Sequence, residues 1–481
     1  MQVTSPEPEA REPASERNPW VVLASTSLAV FAVFLDTTIL FVAFPSIRAQ
    51  FASTAPSSLS WILNAYTIVF AALLIPAGRL ADRLGRRRTF LTAAVLFTVA
   101  SMLCGVAPTV VVLVAARILQ AAAAAALVPA SLALVLQTFP RHKIPVAVAI
   151  WGAVGAVAGA AGPTLGALVI ENLGWRWAFY INLPVGIVSY LLGRRVLPEW
   201  REPNPGRLPD PAGIAVLAAG LALAAYGIVQ TDEWGWVSTR FIVAEVIAFA
   251  LVAWFVQRCR VVSNPVLDLA LFESRSFRWA NAATLVYAVG FSAMFLGNVL
   301  FLTGVWHYSI LRAGMAISVG PLIVAATAPL FGKLAGRVGQ RRLLIPGGLV
   351  WGLSGFLLIH RVTLRPDYVG HYLPSVILSG LGVALCLPQL SSAAVQGLPP
   401  DRFGSGAAVS QAVRNLGATL GVAVAVAFTA GITPVTALDA FHHVWWLLVS
   451  SGVVVSILTS RLPRRSVAQA VNPVVIEEAY A

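Results

Sequence analysis

The most restrictive feature of this 481-residue sequence is a series of long apolar segments that recurs along the chain. About 20 apolar residues in a helix cross the hydrocarbon core of a bilayer, and a helix satisfies its own backbone hydrogen bonds there. We therefore predict an all-α integral membrane protein with about fourteen transmembrane helices, a count of twelve or thirteen being the alternative. The predicted spans are 20–44, 59–78, 89–107, 110–136, 145–170, 177–197, 211–230, 240–257, 280–305, 314–333, 342–360, 373–394, 406–430 and 442–460.

The composition excludes the main soluble classes. Hydrophobic residues make up 58% of the chain and charged residues 11%, whereas soluble domains have about 45–50% and about 25%. A water-soluble enzyme and a disordered protein are both disfavoured. The three cysteines are far apart, which argues against a disulfide framework or a zinc site. We therefore expect neither a metal nor a cofactor, and no enzymatic activity.

The basic residues predict the orientation. With a cytoplasmic N terminus, 25 of the 33 Lys and Arg residues fall in inside segments and six in outside segments. Such a bias is typical of cytoplasmic loops. It also accounts for the net charge of +13 without a nucleic-acid partner. We predict a multi-pass protein of the cell membrane with both termini cytoplasmic. Residues 1–19 are predicted to be a disordered cytoplasmic tail, with no signal peptide, and 461–481 a second cytoplasmic tail.

An internal repeat divides the chain. Residues 78–88 (GRLADRLGRRR) and 332–342 (GKLAGRVGQRR) are identical at seven of eleven positions, with an offset of 254. We predict two pseudo-repeated six-helix halves, 20–197 and 261–460, separated by a linker with two inserted helices at 198–260. Duplicated halves around a central site are typical of transporters. The alternative is two unrelated basic turns that anchor helices at the membrane surface.

Few charges remain inside the predicted spans. Asp36 lies in an otherwise apolar helix, where a charge costs about 2.5–3.5 kcal/mol on insertion scales. Arg117 and Gln120 are three residues apart and share a helix face. We expect Asp36 and Arg117 to form a pair that a proton separates. The alternatives are a structural carboxylate bonded to nearby threonines and a structural arginine in a polar cluster.

Small residues mark the fifth predicted span. Gly155, Gly159, Gly162 and Gly166 are spaced by four, three and four residues, with Pro163 among them. This stripe allows close approach of another helix, and the proline adds a kink point. We interpret the stripe as a gating contact between helices.

Several of these segments resemble the 14-helix drug–proton antiporter branch of the major facilitator superfamily. Residues 78–88 resemble its motif A, 35–45 its first-helix motif, 155–166 its antiporter motif C and 175–184 the segment entering its sixth helix. Arg117 to Gln120 resembles motif B, but alanines at 121–126 replace the glycines that usually follow. The resemblance implies a role for Asp36 in proton coupling or cation recognition, and it favours export over uptake.

Other candidate residues have less specific signals. Asp82 is placed to bridge to Arg83 or Arg86 and latch helices at the inner face, whereas its repeat partner is Gly336. Glu245 lies in an inserted helix, where it could carry a proton or reach the interface. The residues expected to line a substrate cavity are Trp61, Asn64, Tyr66, Gln120 and Arg414, the last being also a candidate gating residue.

The sequence as a whole predicts a proton-coupled exporter. It would move drugs, antibiotics or similar lipophilic or cationic compounds by alternating access, with small-molecule substrates, protons and the lipid bilayer as its partners. The sequence contains no Walker A motif, so ATP-driven pumping by this chain has no support. The alternatives are an exporter of an endogenous metabolite and a non-exporting carrier or sensor. The substrate, the proton stoichiometry and the oligomeric state stay open.

Overall fold

The computed structural model describes residues 18–140, 143–199, 209–399, 402–430, 432–433 and 436–463. Most of both predicted tails and residues 200–208 of the predicted linker lie outside this part. The described residues form helices and contain no strand. The α-helices are α1 (Pro19–Gln50), α2 (Pro56–Leu84), α3 (Arg86–Val106), α4 (Val110–Thr138), α5 (Ile144–Leu173), α6 (Trp177–Tyr180), α7 (Asn182–Val196), α8 (Pro211–Val229), α9 (Thr231–Trp234), α10 (Thr239–Val261), α11 (Arg275–Gly304), α12 (Ile310–Val338), α13 (Gln340–Arg361), α14 (Leu373–Gln396), α15 (Phe403–Thr429) and α16 (Ala437–Ser460).

Polar caps fix where many of these helices begin. The side chains that accept a hydrogen bond from a first-turn N–H satisfy donors that have no partner within the helix. At α1 and α8 a proline follows the cap, where its missing N–H costs nothing. The capping residues are Asn18, Thr109, Asp210, Ser238, Ser274 and Ser309.

The membrane fold is confirmed, but the count of fourteen is not fully confirmed. Among the described residues, twelve helices are long and apolar enough to cross a bilayer. The predicted span 145–170 coincides with the 30-residue helix α5, of which the stretch Val157–Leu173 is counted as a shorter apolar helix. The predicted span 177–197 is also outside the twelve. It is broken at Ile181 into α6 and α7, and α7 has only fifteen residues. A helix of that length is about 22 Å long and falls short of a hydrocarbon core of about 30 Å.

The internal repeat is present in three dimensions. Helices α2 and α12 begin 254 residues apart and end 254 residues apart, at the same offset as the sequence repeat. Each is followed by a glycine with positive φ, Gly85 at 104° and Gly339 at 87°, a conformation that favours glycine. Phe41 and Phe295 are also equivalent by this offset, and their ring centroids are 5.2 Å apart. The two halves therefore meet through equivalent residues of α1 and α11.

The first half (α1–α7) and the second half (α11–α16) pack together mainly at one end of the bundle. We call the end where α1 begins the N-terminal face and the other end the opposite face. The largest apolar cluster combines residues of both halves, and these lie toward the opposite face. A second cluster contains first-half residues alone. A third is built from the second half, with Ile75 of α2 packed on its edge.

Polar contacts close the opposite face. Thr67 on α2 and Thr419 on α15 share a hydrogen bond of 2.6 Å between their hydroxyls. The hydroxyls of Thr164 on α5 and Ser318 on α12 are also hydrogen-bonded. Further toward the opposite face, the Leu311 N–H donates to the Glu171 carboxylate. The described polar contacts between the halves thus lie on that side.

The two inserted helices form a hairpin against this bundle. Helix α8 packs against α10, α2 and α15. Helix α10 is at the outside of the bundle, and only 17% of its most apolar stretch is buried. At the N-terminal face Arg258 of α10 donates hydrogen bonds to both Asp210 oxygens. This donation is the main cause that holds the pKa of the Asp210 carboxyl below its ordinary value.

Candidate functional site

Asp36 is at the centre of a buried polar cluster in the first half. It is the eighteenth residue of the 32-residue helix α1, and its exposed fraction is 2%. Arg117 of α4 has an exposed fraction of 1%, and its Nη1 lies 2.5 Å from Asp36 Oδ2. Asp36 and Arg117, which the sequence analysis expects to pair, therefore form a buried ion pair.

Two amide side chains complete the hydrogen bonds of the carboxylate. Gln120 Nε2 donates to Asp36 Oδ1 at 2.9 Å, and Asn182 Nδ2 donates to the same oxygen at 3.1 Å. Both amides also donate to the Ser101 hydroxyl, at 3.2 Å and 2.9 Å. The carboxylate thus receives hydrogen bonds from three side chains, which belong to α4 and α7.

The guanidinium of Arg117 is held from several directions. Its Nε donates to the Ile62 carbonyl at 3.2 Å, and its Nη1 also donates to Gln120 Oε1 at 2.7 Å. The Tyr66 ring lies 4.0 Å from the guanidinium carbon, within the range of a cation–π interaction. Removing one partner of such a buried pair generally costs about 3–5 kcal/mol, because the other charge is left uncompensated.

The second half carries no copy of this pair. Gly290 occupies the position of Asp36 in the repeat, and a Cβ at Gly290 would lie against the Ser451 hydroxyl. Arg414 on α15 is partly buried and donates to Gln411 Oε1. The two arginines inside the spans are therefore in different surroundings, because Arg117 has a carboxylate partner and Arg414 has a neutral amide.

The glycine stripe of α5 lies directly against α1. A Cβ at Gly162 would meet the Thr38 hydroxyl, and one at Gly166 would come within 3.1 Å of the Ile39 side chain. Gly155 faces the Phe34 ring at 3.1 Å, but a Cβ at Gly159 would meet no atom of the described residues within 4 Å. Three of the four glycines thus allow close approach to the stretch of α1 that contains Asp36.

Pro163 connects this contact to the second half. Its carbonyl oxygen lies 2.7 Å from where a Cβ of Gly314 would be, so α5 and α12 also approach closely. Helix α5 is therefore placed between α1, which carries Asp36, and α12 of the other half.

At the N-terminal face, the acid of residues 78–88 pairs with one arginine. Asp82, at the end of α2, lies 2.8 Å from Arg86, at the start of α3. Arg86 also donates to the Ala133 carbonyl of α4 at 3.5 Å. Arg83 is exposed, and the described pairing of Asp82 is with Arg86. These contacts join three helices of the first half.

The residues expected to line one cavity are divided among several places. Tyr66 and Gln120 belong to the buried cluster around Asp36, and Asn64 is buried in α2 with its amide atoms unpartnered. Trp61 instead lines a small cavity of about 190 Å³ at the opposite face, between α2 and the inserted hairpin. Arg414 is in the second half. In this structure the five residues therefore do not line one common cavity, and their role in substrate binding stays a prediction.

Glu245 lies within the inserted hairpin. Its Oε1 is buried without a hydrogen-bond partner and is 2.6 Å from where a Cβ of Gly227 would be. The acid therefore packs between α10 and α8, away from the Asp36 cluster.

Sequence reasoning missed Asn182 and Ser101 as members of the cluster. Asn182 lies in the segment 175–184 that resembles the entry to the sixth helix, which was the available signal. Ser101 had no distinguishing signal, because single serines are common in apolar helices and this one is in an ordinary stretch of α3.

The fold and the buried pair define a multi-pass membrane protein made of two related helical halves, which is a transporter architecture. The family model of the Major Facilitator Superfamily matches residues 26–422 and, in a second match, 280–479. The chain belongs to the major facilitator superfamily.

Relatives in this superfamily cover most of the chain. The multidrug resistance protein Stp of Mycobacterium tuberculosis is 34% identical over 412 residues, which cover 85% of this chain and 75% of that protein. The cephamycin export protein CmcT of Amycolatopsis lactamdurans is 33% identical over 453 residues, 92% of each chain. The tetracenomycin C resistance and export protein of Streptomyces glaucescens is 32% identical over 433 residues, 86% of this chain and 77% of that one.

Solved structures share the fold at low sequence identity. A crystal structure of an auto-inhibited peptide transporter of the POT family has a TM-score of 0.65 at 16% identity, covering 93% of this chain and 97% of that chain. The human organic anion transporter MFSD10 has a TM-score of 0.62 at 19% identity, covering 92% and 100%. At these identities the likeness is one of fold.

Proposed function

We propose that this chain is a proton-coupled exporter of drugs or antibiotics in the plasma membrane. Relatives at 32–34% identity are named as drug-resistance or export proteins, which supports the transport of small molecules outward. The observation that carries the coupling is the buried Asp36–Arg117 pair. A carboxylate that is removed from water and satisfied by donors is a group whose protonation changes the local structure.

The proton would act by releasing Arg117. In the ionised state Asp36 accepts hydrogen bonds from Arg117, Gln120 and Asn182. Protonation neutralises the carboxyl and turns one oxygen into a donor, so the pair loses its charge attraction and the guanidinium is left buried without a counter-charge. The uncompensated charge of Arg117 would destabilise this arrangement of the first half and favour a rearrangement around α4. Proton uptake would thereby be coupled to a conformational change.

The closed opposite face fits one step of an export cycle. The Lys and Arg bias supports a cytoplasmic N-terminal face, which would make the closed face the outer one. In the proposed cycle this is the step at which Asp36 has released its proton to the cytoplasm and substrate loads from the cytoplasmic side. Protonation from the outside after the halves rock would complete an export cycle.

The glycine contact and the motif A pair take positions in this cycle. Helix α5 lies between α1 and α12. We assign Gly155, Gly162 and Gly166 to the contact of α5 with α1, and Pro163 to its contact with the second half. Gly159, where a Cβ would meet no described atom, takes no part in this assignment. The Asp82–Arg86 pair joins α2 to α3 at the cytoplasmic face, and we assign it to latching helices there. Arg83, which is exposed, takes no part in this assignment.

The test is proton exchange in everted membrane vesicles that contain a pH-sensitive dye. Adding a substrate from a panel of antibiotics and lipophilic dyes should dissipate the proton gradient in vesicles with the wild-type chain. The variant Asp36→Asn should insert normally and show no substrate-evoked proton movement. The matched control is Asp439→Asn, the same change at an exposed acid of α16, which should behave as wild type.

Two results would contradict the proposal. One is an Asp36→Asn variant that still accumulates substrate against a gradient, since the proton would then be carried elsewhere. The other is a wild-type chain that evokes no proton movement across the whole panel, although it confers resistance in a growth assay.

A further inference from the structure

Arg414 is a guanidinium inside a membrane-spanning helix with a neutral partner. It is the twelfth residue of α15, about 17 Å along the helix. Its described hydrogen bond goes to the Gln411 amide oxygen, and no described carboxylate forms an ion pair with it. Charged side chains at this depth are generally paired or serve function, because an uncompensated charge in the membrane interior is costly. A counter-charge is therefore missing at Arg414.

The groups around Arg414 have donors to spare. Gln411 Oε1 accepts from Arg414, and Gln411 Nε2 donates to Asn415 Oδ1 at 3.4 Å. Each amide oxygen thus accepts one hydrogen bond, while the buried Asn415 Nδ2 has no acceptor among the described residues. The Tyr287 hydroxyl has no partner among them either, and Tyr287 has an exposed fraction of 1%. A buried donor without an acceptor costs about 1–3 kcal/mol, so this set is incomplete until an acceptor binds.

Tyr287 lies on the stretch of α11 that packs against this part of α15. Helices α11 and α15 approach closely beside it, since a Cβ at Gly417 would meet the backbone and side chain of α11. A guanidinium, a primary amide N–H and a phenol O–H thus come from two adjacent helices of the second half.

The set lies just below the contact that closes the opposite face. Thr419, which bonds Thr67 of the first half, is one helical turn from Asn415 and on the same helix face. Arg414 is five residues from Thr419, or about 7.5 Å along α15 toward the N-terminal face. A group held here would lie beside the junction of the two halves, where alternating access places a transported molecule.

We propose that Gln411, Arg414, Asn415 and Tyr287 bind an anionic group, such as a carboxylate or an ionised phenol, of the transported molecule. This inference rests on the proposed export function and narrows its substrate class to lipophilic compounds that carry an acidic group. The Asp36–Arg117 pair is neutral as a unit, so Arg414 gives the centre of the bundle a net positive charge. This charge would repel a cationic substrate and attract an anionic one.

The test is a binding experiment without any gradient, on the purified full-length chain in nanodiscs of neutral lipid at pH 7. The probes are 2-naphthoate and 2-naphthamide, which share a ring system and differ in charge. We expect 2-naphthoate to bind about 10- to 100-fold more tightly, since a hydrogen bond to a charged group contributes on that scale. Arg414→Gln should remove this preference and Arg414→Lys should keep part of it.

Two further variants make the test independent of folding defects. Asn415→Asp is nearly isosteric and places a carboxylate next to Arg414, so it should abolish 2-naphthoate binding and leave 2-naphthamide binding intact. Arg361→Gln, at an exposed arginine that ends α13, is the matched control and should retain the preference. The inference is overturned if wild type binds 2-naphthoate no better than 2-naphthamide, or if the preference survives both Arg414→Gln and Asn415→Asp.

The same experiment separates this inference from the proposed function. Asp36→Asn should lose proton exchange and keep the preference for 2-naphthoate. Proton exchange that persists while wild type has no preference refutes the anion site alone. A preference that depends on Arg414 in a chain without substrate-evoked proton movement supports the site and refutes the coupling alone.

Discussion

Removing one charge of the Asp36–Arg117 pair should destabilise the protein more than removing both charges. In Arg117→Gln the Asp36 carboxylate stays buried and loses its charged partner, and the Ile62 carbonyl and the Tyr66 ring lose a contact. Because both side chains are almost completely buried, we expect a loss of about 3–5 kcal/mol in the free energy of unfolding. The double variant Asp36→Asn/Arg117→Gln contains no buried charge here and should be more stable than Arg117→Gln alone.

The assay is a double-mutant cycle on the purified chain in nanodiscs, with unfolding followed by tryptophan fluorescence. Arg117→Gln should be the less stable of the two Arg117 variants, since only there does the Asp36 carboxylate stay buried without a counter-charge. Additive effects, with no recovery of stability in the double variant, would refute the view that the two charges compensate each other.

Three other perturbations test separate parts of the structure. Gly162→Ala should lower the free energy of unfolding by about 1–3 kcal/mol and slow transport, since the added methyl overlaps a side chain of α1. The control Gly159→Ala places its methyl in open space and should leave efflux unchanged. Equal effects of the two variants would contradict the assigned α1–α5 contact. Cysteines in place of Thr67 and Thr419, whose hydroxyls are 2.6 Å apart, should cross-link on oxidation and block transport until a reductant is added, and a cross-linked chain that still transports would rule out opening at this place. Asp210→Asn should loosen the inserted hairpin above about pH 4 and have progressively less effect as the pH falls below that value. The pKa of the native carboxyl is lowered, so its contribution is present above the ordinary value of about 3.9 and is lost as the pH falls through the native value; hydrogen exchange in α8 and α10 measures it, and equal exchange in both proteins at neutral pH would contradict the prediction.

Much of the fold could be predicted because a bilayer imposes strict conditions on a sequence. Long apolar runs and a repeat at a fixed offset were sufficient to predict two related halves and the inserted hairpin. The break at Ile181 was not predicted, although Asn182 and Pro184 follow it and a proline inside a helix disfavours its continuation. Hydropathy registers composition over a window and is insensitive to a change of helix axis inside it.

The candidate site was predictable where charge is involved and less so elsewhere. Asp36 and Arg117 stand out because an apolar span rarely tolerates either. Asn182 and Ser101 are neutral, so nothing in the composition distinguished them. Trp61 was assigned to a central cavity because the sequence predicts helix α2 but not how that helix is rotated, and the structure turns this side chain toward the hairpin.

Under the proposed coupling through Asp36, the glycine at the equivalent position of the repeat, Gly290, limits the energy available per transport cycle. The two halves share a scaffold, yet only the first has an ionisable group at this position. An exporter that loads its proton at Asp36 alone exchanges one proton per cycle. A proton-motive force of 100 mV is worth about 2.3 kcal/mol per charge, so a neutral cargo could be concentrated about 50-fold, and steeper gradients would require a substrate whose own charge adds to the driving force.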